Sequence, residues 1–200
     1  MEYLCCWTLS KYWSFGLKGS PDRRTVVVVG EKGSGKTSLI FRFTRGRMPC
    51  SQEMRSSLDT DFVDVLRNGV TTRLCIYDTS GDDAYAKLRA LPYSKADCIM
   101  ICLPLDSRAS LRRLELDFVP EVRCLCQGKP YILVGTKRDT RYSGQGYSES
   151  TAITEKQGRR MAKVIGAVAY LECSALDDAS GGRGVNRVFG RAVKECVRRK

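Results

Sequence analysis

The sequence contains no histidine anywhere in its 200 residues. That absence excludes nucleophilic catalysis of the Ser-His and Cys-His types, and with no C-x-x-C pair either it leaves a structural zinc site without its usual ligand sets. No apolar run approaches 18 residues, so a transmembrane helix is not expected. The opening residues Met1-Glu2-Tyr3-Leu4-Cys5-Cys6-Trp7 have neither a basic n-region nor a small-residue cleavage site, so no secretory signal is expected. Glu2 stands where N-myristoylation requires glycine. Acidic residues are in deficit, 22 against 34 Lys+Arg, for a net charge of +12. No stacking platform or recognition-helix signature accompanies that charge, so nucleic acid is not an expected partner and the basic surface reads as solvated or membrane-facing.

What is present describes one globular domain with a substantial core: 42% of the residues are hydrophobic and 28% charged. Of the ten cysteines, Cys75, Cys98, Cys102 and Cys173 lie in apolar runs and read as reduced, buried small hydrophobes. An aromatic stretch, Tyr3 to Leu17, holds both tryptophans and is followed by Gly19-Ser20-Pro21-Asp22-Arg23-Arg24, which reads as a linker. The expected organisation is therefore an N-terminal extension (1–24), a folded domain (25–197) and a basic tail (198–200).

Val26-Val27-Val28-Val29 is β-branched without alternation, the pattern of a strand buried on both faces. Gly30 ends it, and Lys36 to Arg45 then places Leu39, Ile40 and Phe43 on one helical face. Phe62–Leu66 and Thr72–Tyr77 read as extended runs joined through Asn68-Gly69, the strongest short-range hairpin signal. Further strands are expected at Cys98–Leu103, Tyr131–Val134 and Ala169–Cys173, separated by helical patterns. In the last helix Val185, Val188, Phe189, Ala192, Val193, Cys196 and Val197 repeat at helical spacing. The predicted fold is α/β: a doubly wound, mostly parallel six-stranded sheet with one antiparallel edge strand and helices on both faces, its ligand at the carboxyl ends of the strands.

Gly30-Glu31-Lys32-Gly33-Ser34-Gly35-Lys36-Thr37 matches G-x4-G-K-[ST] and lies between a buried strand and a helix. Glycines there let backbone N–H groups wrap a phosphate at the helix N-terminus; Lys36 reaches the β- and γ-phosphates and the Thr37 hydroxyl ligates Mg2+, with Ser38 next in line. Asp78-Thr79-Ser80-Gly81 ends the hairpin's second strand, where the carboxylate can hold a Mg2+-bound water and the Gly81 N–H can meet a γ-phosphate. Thr136-Lys137-Arg138-Asp139 and Cys173-Ser174-Ala175-Leu176 follow the last two strands. A carboxylate at Asp139 can accept from guanine N1–H and the 2-amino group, the Lys137 stem can cover the base, and the Ala175 N–H can reach its O6.

These residues resemble the Ras superfamily of small GTPases, and within it the Rho family. The Rho likeness extends through Tyr85, Lys87-Leu88-Arg89-Ala90-Leu91-Pro92-Tyr93-Ser94, Val119-Pro120-Glu121-Val122 and Ile165-Gly166-Ala167 to Leu176, and covers roughly Thr25 to Val197. Thr136 in place of the usual Asn also occurs in the Rac branch. The resemblance implies a monomeric switch that takes GTP or GDP with Mg2+ and meets effectors, exchange factors, and GAP and GDI proteins of the Rho type.

Several positions depart from that pattern. Lys32 stands where the family has a glycine beside the γ-phosphate, and Asp82 where it has the glutamine that orients the attacking water. Slow hydrolysis is the consequence expected of both. The switch I threonine has only Ser56 or Ser57 near its place, with Thr60 an outside candidate, and the aromatic that shields the base has no clear counterpart. The segment from Arg141 to Ala152 lacks the charged helix usual in Rho proteins, and Val197-Arg198-Arg199-Lys200 contains no C-a-a-X cysteine. Two readings follow: a hydrolysis-impaired GTP-binding signalling switch, or a pseudo-GTPase scaffold whose nucleotide is structural or absent. Any association with the cytoplasmic face of a membrane is expected to use acylation of Cys5 and Cys6 together with the basic C-terminus.

Overall fold

The structure, a computed structural model, describes residues 22–54, 58–67, 69–142, 151–176 and 182–198. Six strands form one sheet in the order β2-β3-β1-β4-β5-β6. They are β1 (Asp22–Val29), β2 (Asp59–Arg67), β3 (Val70–Asp78), β4 (Cys98–Pro104), β5 (Tyr131–Thr136) and β6 (Ala169–Glu172). Every neighbouring pair is parallel except β2 and β3. The expected α/β architecture with one antiparallel edge strand is what the chain adopts.

The reason for four successive valines is visible in the packing. Val26 and Val28 point into one core layer with α1 (Lys36–Arg45) and α6 (Arg183–Val197), while Val27 and Val29 point into the other with Ile99, Ile101, Phe118 and Ile165. All four are 0% exposed. In the first layer the Phe43 and Phe189 rings stack with centroids 3.9 Å apart and planes 8° off parallel, tying α1 to α6. The second layer is covered by α2 (Ala86–Ala90), by α3 (Ala109–Arg113), which runs through a π-helical turn (Leu114–Phe118) into α4 (Val119–Leu125), and by α5 (Glu155–Ile165). Cys75, Cys98, Cys102 and Cys173 are buried free thiols, as expected, and Cys126 and Cys196 are buried free thiols too.

Two boundaries differ from expectation. β1 starts at Asp22, three residues before the expected domain start at Thr25, because Asp22, Arg23 and Arg24 pair in register with Thr72, Arg73 and Leu74. Arg24 is held there by Asp22 at 2.8 Å and Asp97 at 3.8 Å. The hairpin strands are also longer than the apolar runs suggested, with Arg67 opposite Val70. Gly69 supplies the left-handed turn residue at φ 75°, while Asn68 lies outside the described residues.

The carboxyl ends of β1, β3, β4 and β5 all open on one edge of the sheet, and the loops that leave them carry the motifs singled out in the sequence. No helix among the described residues is long and apolar enough to cross a membrane.

Candidate functional site

The phosphate loop turns back on itself at Gly30 (φ 144°), Gly33 (φ 78°) and Gly35 (φ 86°). At Gly30 the geometry leaves no room for a side chain: a Cβ would stand 2.5 Å from the Cys102 carbonyl oxygen at the end of β4. Gly35 is the left-handed N-cap of α1, so the first N–H groups of that helix face the loop's interior. The Lys36 ammonium crosses this interior, donating to the Gly30 and Glu31 carbonyls at 2.8 Å each and to Ser34 Oγ at 3.4 Å. Burial lowers its pKa. Ser34 is 0% exposed, Gly33 and Lys32 are exposed, and Ser38 is half-buried in the first turn of α1.

Beside Lys36, the Thr37 hydroxyl donates to Asp78 Oδ2 at 2.6 Å. The other carboxylate oxygen, Asp78 Oδ1, is buried without a hydrogen-bond partner. Desolvation pushes the Asp78 pKa up to about 6. An orphaned carboxylate oxygen next to a hydroxyl, at the mouth of a phosphate-shaped loop, suits a hard divalent cation such as Mg2+. Among the described residues no cluster of three or more His, Cys, Asp or Glu side chains is arranged to hold a metal.

Of the switch I candidates, Ser56 and Ser57 lie outside the described residues. Thr60 is a β2 residue paired in register with Tyr77 on β3, and its own N–H donates to Asp59 Oδ1 at 2.9 Å. Thr60 is thus part of the sheet rather than of a loop free to close over the site.

The loops that follow β5 and β6 also meet, the Arg138 N–H donating to the Cys173 carbonyl at 3.1 Å. Thr136 donates to the Ser34 carbonyl at 2.6 Å, clamping the end of β5 to the phosphate loop. Lys137 is the single non-glycine residue with positive φ (57°) among the described residues, and its ammonium pairs with Asp106 at 3.0 Å. Asp139 accepts from the Ser174 hydroxyl, and Ser174 Oγ accepts from the Leu176 N–H at 3.1 Å, so the carboxylate is oriented through the β6 loop. Ala175 is held through its carbonyl, which accepts from Arg42 Nε at 2.7 Å. Asp106 and Arg42 were not anticipated from sequence. Asp106 follows the end of β4, and the rule that ligands sit at strand carboxyl ends was the available signal for it. Arg42 had none, since α1 reads as an amphipathic helix with outward cations.

Gly81 packs directly on the phosphate loop: a Cβ there would stand 2.2 Å from the Glu31 carbonyl carbon and 2.3 Å from the Lys32 nitrogen. The next residue, Asp82, accepts from the Ala84 N–H at 3.1 Å through Oδ1 and caps a short turn. Its other oxygen lies 3.5 Å from the Lys32 ammonium. The backbone hydrogen bond from Ala84, with Lys32 adding to it, holds the Asp82 pKa below the usual carboxylate range. Lys32 and Asp82, 50 positions apart in the chain, therefore face each other.

The Ras family's sequence profile matches residues 25–198. GTP-binding protein rho3 of Schizosaccharomyces pombe is 37% identical over 185 residues, covering 92% of this chain and 87% of the relative. GTP-binding protein RHO1 of Saccharomyces cerevisiae is 33% identical over 184 residues, 90% of this chain and 86% of the relative. The chain belongs to the Rho family. A further member, Rho-related GTP-binding protein RhoH of Bos taurus, is 35% identical over 171 residues, 86% of each. In this Rho-family chain, the segments beginning at Gly30, Thr79 and Lys137 leave the carboxyl ends of the parallel strands β1, β3 and β5.

Proposed function

We propose that this chain is a Rho-type guanine-nucleotide switch that binds GTP and GDP with Mg2+ and hydrolyses GTP slowly. The observation that supports it most directly is the joining of the phosphate loop to the base loops: Thr136 bonds the Ser34 carbonyl, and Ser174 orients Asp139. Gly30, Gly33, Ser34, Gly35, Lys36 and Thr37 would enclose the phosphates, and Asp139, Lys137, Ala175 and Leu176 the guanine. Asp139 carries the specificity for guanine, because adenine lacks the two donors that a carboxylate there accepts. Thr37 and, through water, Asp78 would hold Mg2+, which when bound offsets the charge of the β- and γ-phosphates.

Slow hydrolysis follows from chemistry at two residues. Asp82 is anionic and already spends one oxygen on the turn it caps, so it is a poor substitute for a residue that must orient water at a polyphosphate. Lys32 occupies the approach of an arginine finger, whose contribution in assisted GTPases is roughly 10³ to 10⁵ in rate. Competition binding with GTP, GDP and ATP, followed by single-turnover hydrolysis with and without a Rho-type GAP, tests the reading. Strong preference for GTP and GDP over ATP, a shift of Asp139→Asn toward xanthine nucleotides, and partial recovery of hydrolysis in K32G/D82Q are expected. Equal binding of ATP and GTP, or acceleration of the native protein by orders of magnitude with GAP, would refute it. A purified protein that neither carries nor takes up nucleotide would be the scaffold instead.

Partners of this site would be effectors, exchange factors and a GDI that meet the protein as a monomer. Membrane attachment would draw on Cys5 and Cys6, which lie outside the described residues with Trp7, Tyr12, Trp13, Phe15, Arg199 and Lys200. Arg191 of α6 and Arg198 just after it converge on the buried Glu195, at 2.8 and 3.4 Å, which reduces the positive charge that Arg187 and Lys194 share with them. Acylation at the N-terminus would then be the stronger of the two signals. Fractionation of C5S/C6S and of a tail-neutralised variant measures each; unchanged association in both would discard the mechanism.

A further inference from the structure

We propose that Lys32 is a ligand of the terminal phosphate that changes partner with the nucleotide: it pairs with Asp82 when a diphosphate is bound and leaves Asp82 for the γ-phosphate when a triphosphate is bound. The inference rests on the guanine-nucleotide reading above and adds to it a residue that the Rho pattern, with glycine at this place, does not contain.

Position comes first. Lys32 lies in the outer turn of the phosphate loop, between Glu31 and Gly33, while Lys36 of the same loop bonds the Gly30 and Glu31 carbonyls from within. The two lysines therefore bracket one stretch of backbone, Lys36 from the buried side and Lys32 from the exposed side. The Asp82 segment reaches Lys32 because Gly81 lies flat against the Glu31–Lys32 peptide, within 2.3 Å of where its own Cβ would be. Asp82 cannot retreat freely, since its N–H donates to Ser80 Oγ at 3.2 Å, its Oδ1 caps Ala84, and its carbonyl accepts from Arg89 at 3.3 Å.

Strength comes second. The Lys32 side chain is 78% exposed and its 3.5 Å contact with Asp82 is at the long end of hydrogen-bond range. An exposed pair of this kind is weak and is exchanged for a better anion at little cost. A γ-phosphate beside the loop presents more charge and several acceptor oxygens, and it repels the Asp82 carboxylate as it attracts the lysine. Asp82 thus opposes the triphosphate in two ways, by competing for Lys32 and by its own charge. Lys32 favours the triphosphate, because the diphosphate offers it nothing at that place.

The test is the ratio of affinities for GDP and for a non-hydrolysable GTP analogue, measured by displacement of a fluorescent GDP from the full chain. K32Q is expected to move the ratio toward GDP by about fivefold, D82N to move it toward the triphosphate by a similar factor, and K32R to stay near the native value. In the K32Q background the effect of D82N should shrink, since part of it acts through the lysine. Lys32 is exposed and an asparagine at 82 still accepts from the Ala84 N–H, so the variants keep the fold. Ratios within twofold of native in both K32Q and D82N, with tight binding retained, overturn the role of Lys32 and leave the guanine-nucleotide reading intact. Absence of binding by the native protein overturns both.

Discussion

At the scale of single residues, the site depends on contacts that leave no slack. Gly81→Ala would drive a Cβ into the Glu31 and Lys32 backbone, which no side-chain rotation relieves. A cost of about 1–3 kcal/mol is expected, together with loss of triphosphate binding, read by thermal melting and by nucleotide titration. Thr136→Val removes the hydroxyl that clamps the Ser34 carbonyl while keeping the shape of the side chain. That bond is worth about 1 kcal/mol, so GDP should dissociate about fivefold faster, as measured by release of a fluorescent analogue. The glycines and Lys36 were legible in sequence because the eight-residue motif is local. The use of Thr136 was not, because its partner is 102 positions away and a threonine at a strand end has many possible acceptors. Lys32 and Asp82 were each legible as departures, but their contact spans 50 positions and only folding brings it about.

At the scale of elements, the β2–β3 hairpin carries a cross-strand pair that sets a pH dependence. Asp64 and Arg73 are opposite in register and form two bonds at 2.8 and 2.9 Å. The Arg73 guanidinium holds the Asp64 carboxyl below its usual range. The folded-state pKa is depressed, so this contribution is present above the unfolded value of about 3.9 and is lost as pH falls through the folded value. The pair is partly exposed, so Asp64→Asn should cost about 0.5–1 kcal/mol at pH 7 and progressively less as the pH is lowered below about 3.9, in denaturant titrations across that range. Helix α1 was readable to its last residue, because the phosphate motif marks its start and Gly46, left-handed at φ 64°, its end. The start of β1 was missed because Asp22-Arg23-Arg24 looks like a polar linker. Those residues join the sheet because β3 offers them a parallel partner and Asp97 an ionic one, and neither appears in a local window.

At the scale of the molecule, one ion pair with a buried arginine ties the segment after β3 to the far helices. Arg89, 3% exposed, bonds both oxygens of Glu121 on α4 and also the Ser80 and Asp82 carbonyls, with Phe118 beneath its guanidinium at 5.2 Å. Tyr93 donates to the same carboxylate at 2.5 Å. Arg89→Met would leave Glu121 without its cation, costing about 3 kcal/mol and lowering Tm by roughly 6–12 °C in calorimetry. The two buried layers follow directly from residue type and were legible; this tie was not, because Arg89 reads as one more cation among many. The cysteines turn the same architecture into a set of internal clocks. Cys50 and Cys124 are exposed, whereas Cys102 is 2% exposed, sits under Gly30, and has its thiol pushed up to about 12 by burial. An alkylating reagent can reach Cys102 only when the core layer beneath α1 and the phosphate loop opens, so the modification rate of that one thiol, followed by peptide mass mapping, times that opening in the native protein without any engineered label.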